Sequence, residues 1–179
     1  MLEKEIMISI NPPYANMILS GYKSMEFRRA ILNIMKEYDA CVLYIYETKN
    51  KGGCGKIIGR AELYAVYEVY YSNQITENIS RNVTLQRYNC IKRLYLNWCE
   101  KHNIKPNMNE GWFKSKKFKK YIEDIGWKFP QDFNYALELS NIQKYDKPKI
   151  LSDFLTPAGT KMVRPPQNMC ECRTSQETN

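Results

Sequence analysis

Gly21, Lys23, Glu26 and Arg28 follow one another as G-x-K-x-x-E-x-R, with Ser24 and Arg29 in the same short run. One carboxylate, one hydroxyl and three cations so close together suit the reading of a nucleotide. The carboxylate accepts from an exocyclic amine or a ribose hydroxyl, and arginine grips phosphate bidentately or stacks on a base. The structural alternative is a Glu26 to Arg28 ion pair on a sheet wall with Lys23 in solvent, since such pairs are common in sheets. With the functional reading goes the expectation of an open hollow with Lys23 at its mouth.

The flanking elements would place these groups. Asn11, Pro12 and Pro13 open a helix, because Asn caps free amides and Pro tolerates the first turn. Tyr14, Met17 and Ile18 recur at helical spacing, and Gly21 can take the positive φ that ends a helix near Ser20. Beyond it Met25 and Phe27 alternate with Ser24, Glu26 and Arg28, as on a strand with one polar face. Ile6, Ile8 and Ile10 alternate upstream, so the chain opens strand, helix, strand.

Residues 8–29, ISINPPYANMILSGYKSMEFRR, resemble the signature of the activating signal cointegrator homology (ASCH) domain, a relative of the PUA-like RNA-binding barrels. All four hallmark positions are present. Residues 135–154, YALELSNIQKYDKPKILSDF, resemble its closing strands, and Pro165, Pro166 and Gln167 resemble a terminal motif of bacterial and phage-type members. The resemblance implies an α+β fold, a small PUA-like β-barrel with flanking helices, over residues 1–160. It makes residues 76–126 a helical insertion and implies an RNA or nucleotide-like ligand at Lys23, Ser24, Glu26, Arg28 and Arg29.

The same resemblance supplies an enzymatic alternative. Some small ASCH proteins resemble amidohydrolases that deacylate acetylcytidine, using a Lys at the Lys23 position, a Thr at the Glu26 position and a Glu from a later helix. Other members have been proposed as ribonucleases. Here Lys23 is kept and Glu26 replaces the Thr, so Lys23 alone stands as a catalytic candidate. A lysine acts as base only when burial or cations lower its pKa, and a nearby Glu26 opposes that. His102 is the one histidine, too few for a two-imidazole ribonuclease site.

Composition sets the remaining bounds. The 179 residues, 44% apolar, suffice for one domain with its own core. The balance of 27 basic to 19 acidic residues, formally +8, favours anionic partners. Lys114, Lys116, Lys117, Lys119 and Lys120 share one segment with an apolar stripe of Phe118, Tyr121, Ile122 and Ile125, which predicts a helix whose basic face is either simply solvated or contacts phosphate. A further helix is expected over 84–102, with Tyr88, Ile91, Tyr95 and Trp98 in register. Strands are expected over 40–47, 57–70, 134–140 and 145–151, with a turn over 48–55.

Six cysteines lack the spacing of a secreted scaffold or a zinc site, so neither metal nor cofactor is expected. No apolar run reaches the roughly 18 residues of a membrane span, and the acidic residues at the start are unlike a secretory leader, so a cytoplasmic location is expected. Residues 161–179 thin to Pro, Gly, Thr and polar types, the composition of a tail disordered at its end. A protein partner that ignores the charged run is a third functional class.

Overall fold

The computed structural model describes residues 4–37, 41–68, 95–106, 116–117, 120–121 and 134–175. Its order is β1 (Lys4–Ile10), α1 (Pro12–Leu19), β2 (Met25–Arg28), α2 (Ile34–Glu37), β3 (Cys41–Glu47), β4 (Ile57–Glu68), β5 (Tyr135–Lys149), β6 (Phe154–Leu155), β7 (Met169–Glu171) and β8 (Arg173–Thr174). Six strands form one curled sheet in the order β2-β5-β4-β3-β1-β7, and β6 pairs with β8. Among the described residues only β1 and β3 run parallel, because α1, β2 and α2 lie between them in sequence. The fold is α+β, as the sequence implies.

Each side of the sheet has its own core, which explains why all seven residues of β3 are buried. On one side Ile6, Ile8, Ile10, Leu43 and Ile45 pack with Ala15 and Ile18 of α1. On the other, Met7, Val42, Tyr44 and Tyr46 pack under Phe154, Met162 and Cys172. The chain after Leu155 packs on the sheet as far as Ser175. Glu5 fastens that end by accepting from the Tyr44 hydroxyl at 2.6 Å and from Thr174 N–H at 2.8 Å. Residues 176–179 lie outside the described ones.

Two further expectations change. The closing strands 134–140 and 145–151 are one continuous β5, which absorbs its irregularity as bulges against β4, with Asn141 at a positive φ of 45°. Asn11 occupies the N-cap position without capping: its side-chain oxygen accepts from the Thr48 hydroxyl at 2.8 Å, tying α1 to the loop after β3. Glu47 reinforces this tie, accepting from Asn16 at 3.1 Å and from Cys54 N–H at 2.8 Å.

Helix α1 ends as the sequence predicts. Gly21 has φ +72°, Tyr22 N–H reaches Met17 C=O at 2.9 Å and Gly21 N–H reaches Ile18 C=O at 2.8 Å, a Schellman closure. It lies close against the sheet because Gly59 of β4 has no side chain. A Cβ there would stand 2.5 Å from both Gln143 C=O and a Leu19 methyl carbon. Gly59→Ala is therefore expected to destabilise the protein by about 1–3 kcal/mol, the usual range for overpacking. Urea denaturation checks this, and an unchanged midpoint would contradict the close approach.

Candidate functional site

The Schellman turn carries the chain straight into the charged run. Lys23 N–H still bonds Met17 C=O at 3.1 Å, so its backbone is fixed by α1, while Met25–Arg28 form β2 against β5. Lys23, Glu26 and Arg28 then converge. Lys23 Nζ donates to one carboxylate oxygen of Glu26, and Arg28 Nη2 lies 3.1 Å from the other. Lys23 is only 5% exposed and Glu26 7%.

Arg28 does more than complete an ion pair. Its Nη2 donates to Ser9 C=O of β1 at 2.8 Å and its Nη1 to Asn168 Oδ1 at 2.9 Å, just before β7. Strand β2 stands at one edge of the sheet, with β1 and β7 at the far end. Arg28 thus joins the two ends of the curled sheet through side-chain hydrogen bonds where no ladder does. Its Nε is buried and has no hydrogen-bond partner among the described residues.

The expected open hollow with Lys23 at its mouth is not how these residues are placed. Lys23 lies inside, between the rings of Tyr14 and Phe27 at 5.7 and 5.5 Å from its Nζ. Ser24 precedes β2 and its hydroxyl accepts from Asn97 at 2.9 Å, so it borders the cluster rather than joining it. Arg29 is exposed, and its C=O accepts from Asn134 at 3.0 Å. The member with most access to solvent is Arg28, whose side chain is 15% exposed. A surface hollow of about 290 Å³ lies elsewhere, lined by Asn16, Met17, Leu19, Ser20 and Lys144.

The helical stretch 95–101 flanks the run. Lys101 Nζ donates to Ser20 C=O and lies 3.9 Å from the Tyr22 ring centroid, a cation placed at the C-terminal end of α1. The His102 ring stacks on Tyr22 at 5.5 Å and meets Trp98 at 4.9 Å. Of the lysine-rich segment, Lys116, Lys117 and Lys120 are exposed while Tyr121 is buried against Tyr95 and Trp98. Lys117 donates to Lys105 C=O at 3.0 Å. Lys114, Lys119, Phe118, Ile122, Ile125, Tyr88 and Ile91 lie outside the described residues. No group of three metal-ligating side chains occurs among the described residues, and none of their helices is long and apolar enough to cross a membrane.

Ser9 and Asn168 are the site residues that the sequence did not mark. The nearest signal was the Pro165, Pro166, Gln167 motif. It proves to be a strap across β1, with Pro166 C=O accepting from the Ser9 hydroxyl at 2.6 Å and Asn168 C=O from Ser9 N–H at 3.0 Å.

The ASCH protein of Zymomonas mobilis, solved as a crystal structure, superposes on this chain with a TM-score of 0.50. The match is 22% identical and covers 95% of this chain and 88% of that one. The chain has the ASCH fold. Two variants of the same Zymomonas mobilis protein match at 20% and 21% identity, with TM-scores of 0.47 and 0.46. Each covers 96% of this chain, and they are themselves covered to 91% and 89%. No protein-family model and no curated protein matches the sequence. Within the ASCH fold the charged run thus occupies the turn and the edge strand after the first helix.

Burial pushes the Lys23 ammonium below the ordinary lysine value of 10.5; Glu26 pulls it up and Arg28 pushes it down again. Desolvation thus outweighs Glu26 in setting the direction of the shift. The linked effect on stability has a definite sign. Well below the lowered value both states are protonated and Lys23 contributes nothing pH-dependent. Between it and 10.5 the unfolded chain binds a proton that the folded one has released, so stability climbs with pH, by at most about 1.4 kcal/mol per pH unit. Tyr44 and Tyr121, kept protonated by burial, oppose this above their ordinary value of 10. Wild type is therefore expected to gain stability relative to Lys23→Met as pH rises toward 10.5. Urea titrations across that range read the difference, and parallel curves would contradict it.

Proposed function

We propose that this chain is a single-domain, cytoplasmic ASCH protein that binds RNA or a nucleotide-like ligand at the run from Lys23 to Arg29. One observation carries the reading: two cations, Lys23 and Arg28, share the single carboxylate of Glu26, the only one bonded to them among the described residues. With both cations protonated, a buried cluster of this kind holds an unbalanced positive charge, which is costly without a counter-ion. A phosphate or an electron-rich base edge entering beside Arg28 would balance it. Arg28 is the recognising group, Glu26 orients it, Lys23 holds Glu26, and Ser24 and Arg29 line the approach. The lysines of 114–120, within the insertion 76–126, supply sequence-independent contacts to the phosphate backbone.

Titration of labelled single-stranded RNA tests this. Affinity is expected to fall steeply with salt as counterions are released on binding. Arg28→Ala is expected to weaken it by about ten- to a hundred-fold, read on protein whose folding is verified by circular dichroism, since Arg28 also closes the sheet. Replacing Lys116, Lys117 and Lys120 by Ala should lower the salt slope and leave that closure alone. Binding that is absent or indifferent to salt would remove the proposal.

The burial of Lys23 between the Tyr14 and Phe27 rings, which lowers its pKa, supports a second reading, in which its side chain is the proton acceptor in hydrolysis of a modified nucleoside or of RNA. Acetylated cytidines and labelled RNA are the substrates to try, with turnover abolished in Lys23→Ala. A screen without product from wild type would end it.

A further inference from the structure

The strap 165–168 ends on a side chain of defined orientation. Asn168 lies between Arg28 Nη1, which can only donate, and Ala30 C=O, which can only accept. Its Oδ1 therefore faces the guanidinium at 2.9 Å and its Nδ2 the carbonyl at 2.9 Å. The backbone of the same residue is fixed by Ser9 N–H at 3.0 Å. An aspartate is the same shape and would set a charged oxygen at the place of Oδ1, the stronger partner for arginine. It would also bring the cluster to two carboxylates for two cations, the balance that buried ions ordinarily reach. A neutral amide stands there instead.

We infer that Asn168 determines the specificity of this site: it fixes Arg28 without neutralising it, so that the Lys23, Glu26 and Arg28 cluster keeps one positive charge for an anionic group such as a phosphodiester. This rests on the RNA-binding reading and adds the residue that sets its charge. The competing explanation is mechanical, that an amide is needed only because Ala30 C=O requires a donor. The two differ in consequence, because charge and mechanical fit are separable by substitution.

Asn168→Asp and Asn168→Ala both lose the bond to Ala30; Asp keeps an acceptor for Arg28 and adds a charge, while Ala adds none. Binding of labelled single-stranded RNA is measured between about 50 and about 200 mM salt, with melting temperatures alongside. Asn168→Asp is expected to bind about ten-fold more weakly than Asn168→Ala, with a salt slope lower by about one, even where it is the more stable of the two. If affinity follows stability and Asn168→Asp binds as well as Asn168→Ala, Asn168 is a mechanical tie and the inference is overturned, while the RNA reading stands. If Asn168→Asp does not fold, Asn168→Ala decides: its slope must equal that of wild type, and a lower one overturns the inference. Should wild type bind no RNA, that reading fails by itself. The charge-setting role then rests on alkaline stability, where Asn168→Asp must flatten the rise assigned to Lys23 and an undiminished rise overturns it.

Discussion

A single buried carboxylate shared between two cations organises this molecule. Glu26 takes Lys23 on one oxygen and Arg28 on the other, and Arg28 carries the connection on to Ser9 and Asn168 at the opposite end of the sheet. A sheet of six strands whose edge strands β2 and β7 do not pair would ordinarily leave a gap between its ends. Arginine suits that gap because its planar fork can serve several acceptors in fixed directions, which a lysine cannot do. The closure and the candidate recognition centre are thus the same atoms.

The surrounding structure makes that centre rigid. The Schellman turn at Gly21 sets the direction of Lys23, Gly59 lets α1 lie close on β4, and Glu47 holds the loop over 48–55 against Asn16. Desolvation follows from this packing: Lys23 lies between two aromatic rings beneath the end of α1, and its ammonium is weakened accordingly. Arg28 is the most accessible edge of this packed cluster.

Local signals made much of this legible in the sequence. Helix α1, its glycine stop, the alternation of β1 and β2, and the apolar run of β3 depend on neighbours within a few residues, and the hallmark run G-x-K-x-x-E-x-R lies on one such stretch. What escaped depends on contacts across the chain. Asn168 is 140 residues from Arg28, and nothing in its own neighbourhood marks it. Strands β7 and β8, three and two residues long, are too short to carry any periodicity in the sequence. The break assumed within β5 was a bulge, which composition cannot tell from a turn when Asn141 takes a positive φ. Lys23 was expected at a mouth because a charged side chain is normally exposed; Glu26 and two rings override that default.

The central claim is that this cluster holds a positive charge that an anionic guest takes up at Arg28. Nitrogen-resolved NMR of the Arg28 Nε–H signal during addition of single-stranded RNA reads it most directly, because that group has no hydrogen-bond partner among the described residues. A progressive, saturable shift of the signal is the expected result. A signal that stays in place while amides elsewhere respond to the RNA would contradict the account and move recognition away from the cluster.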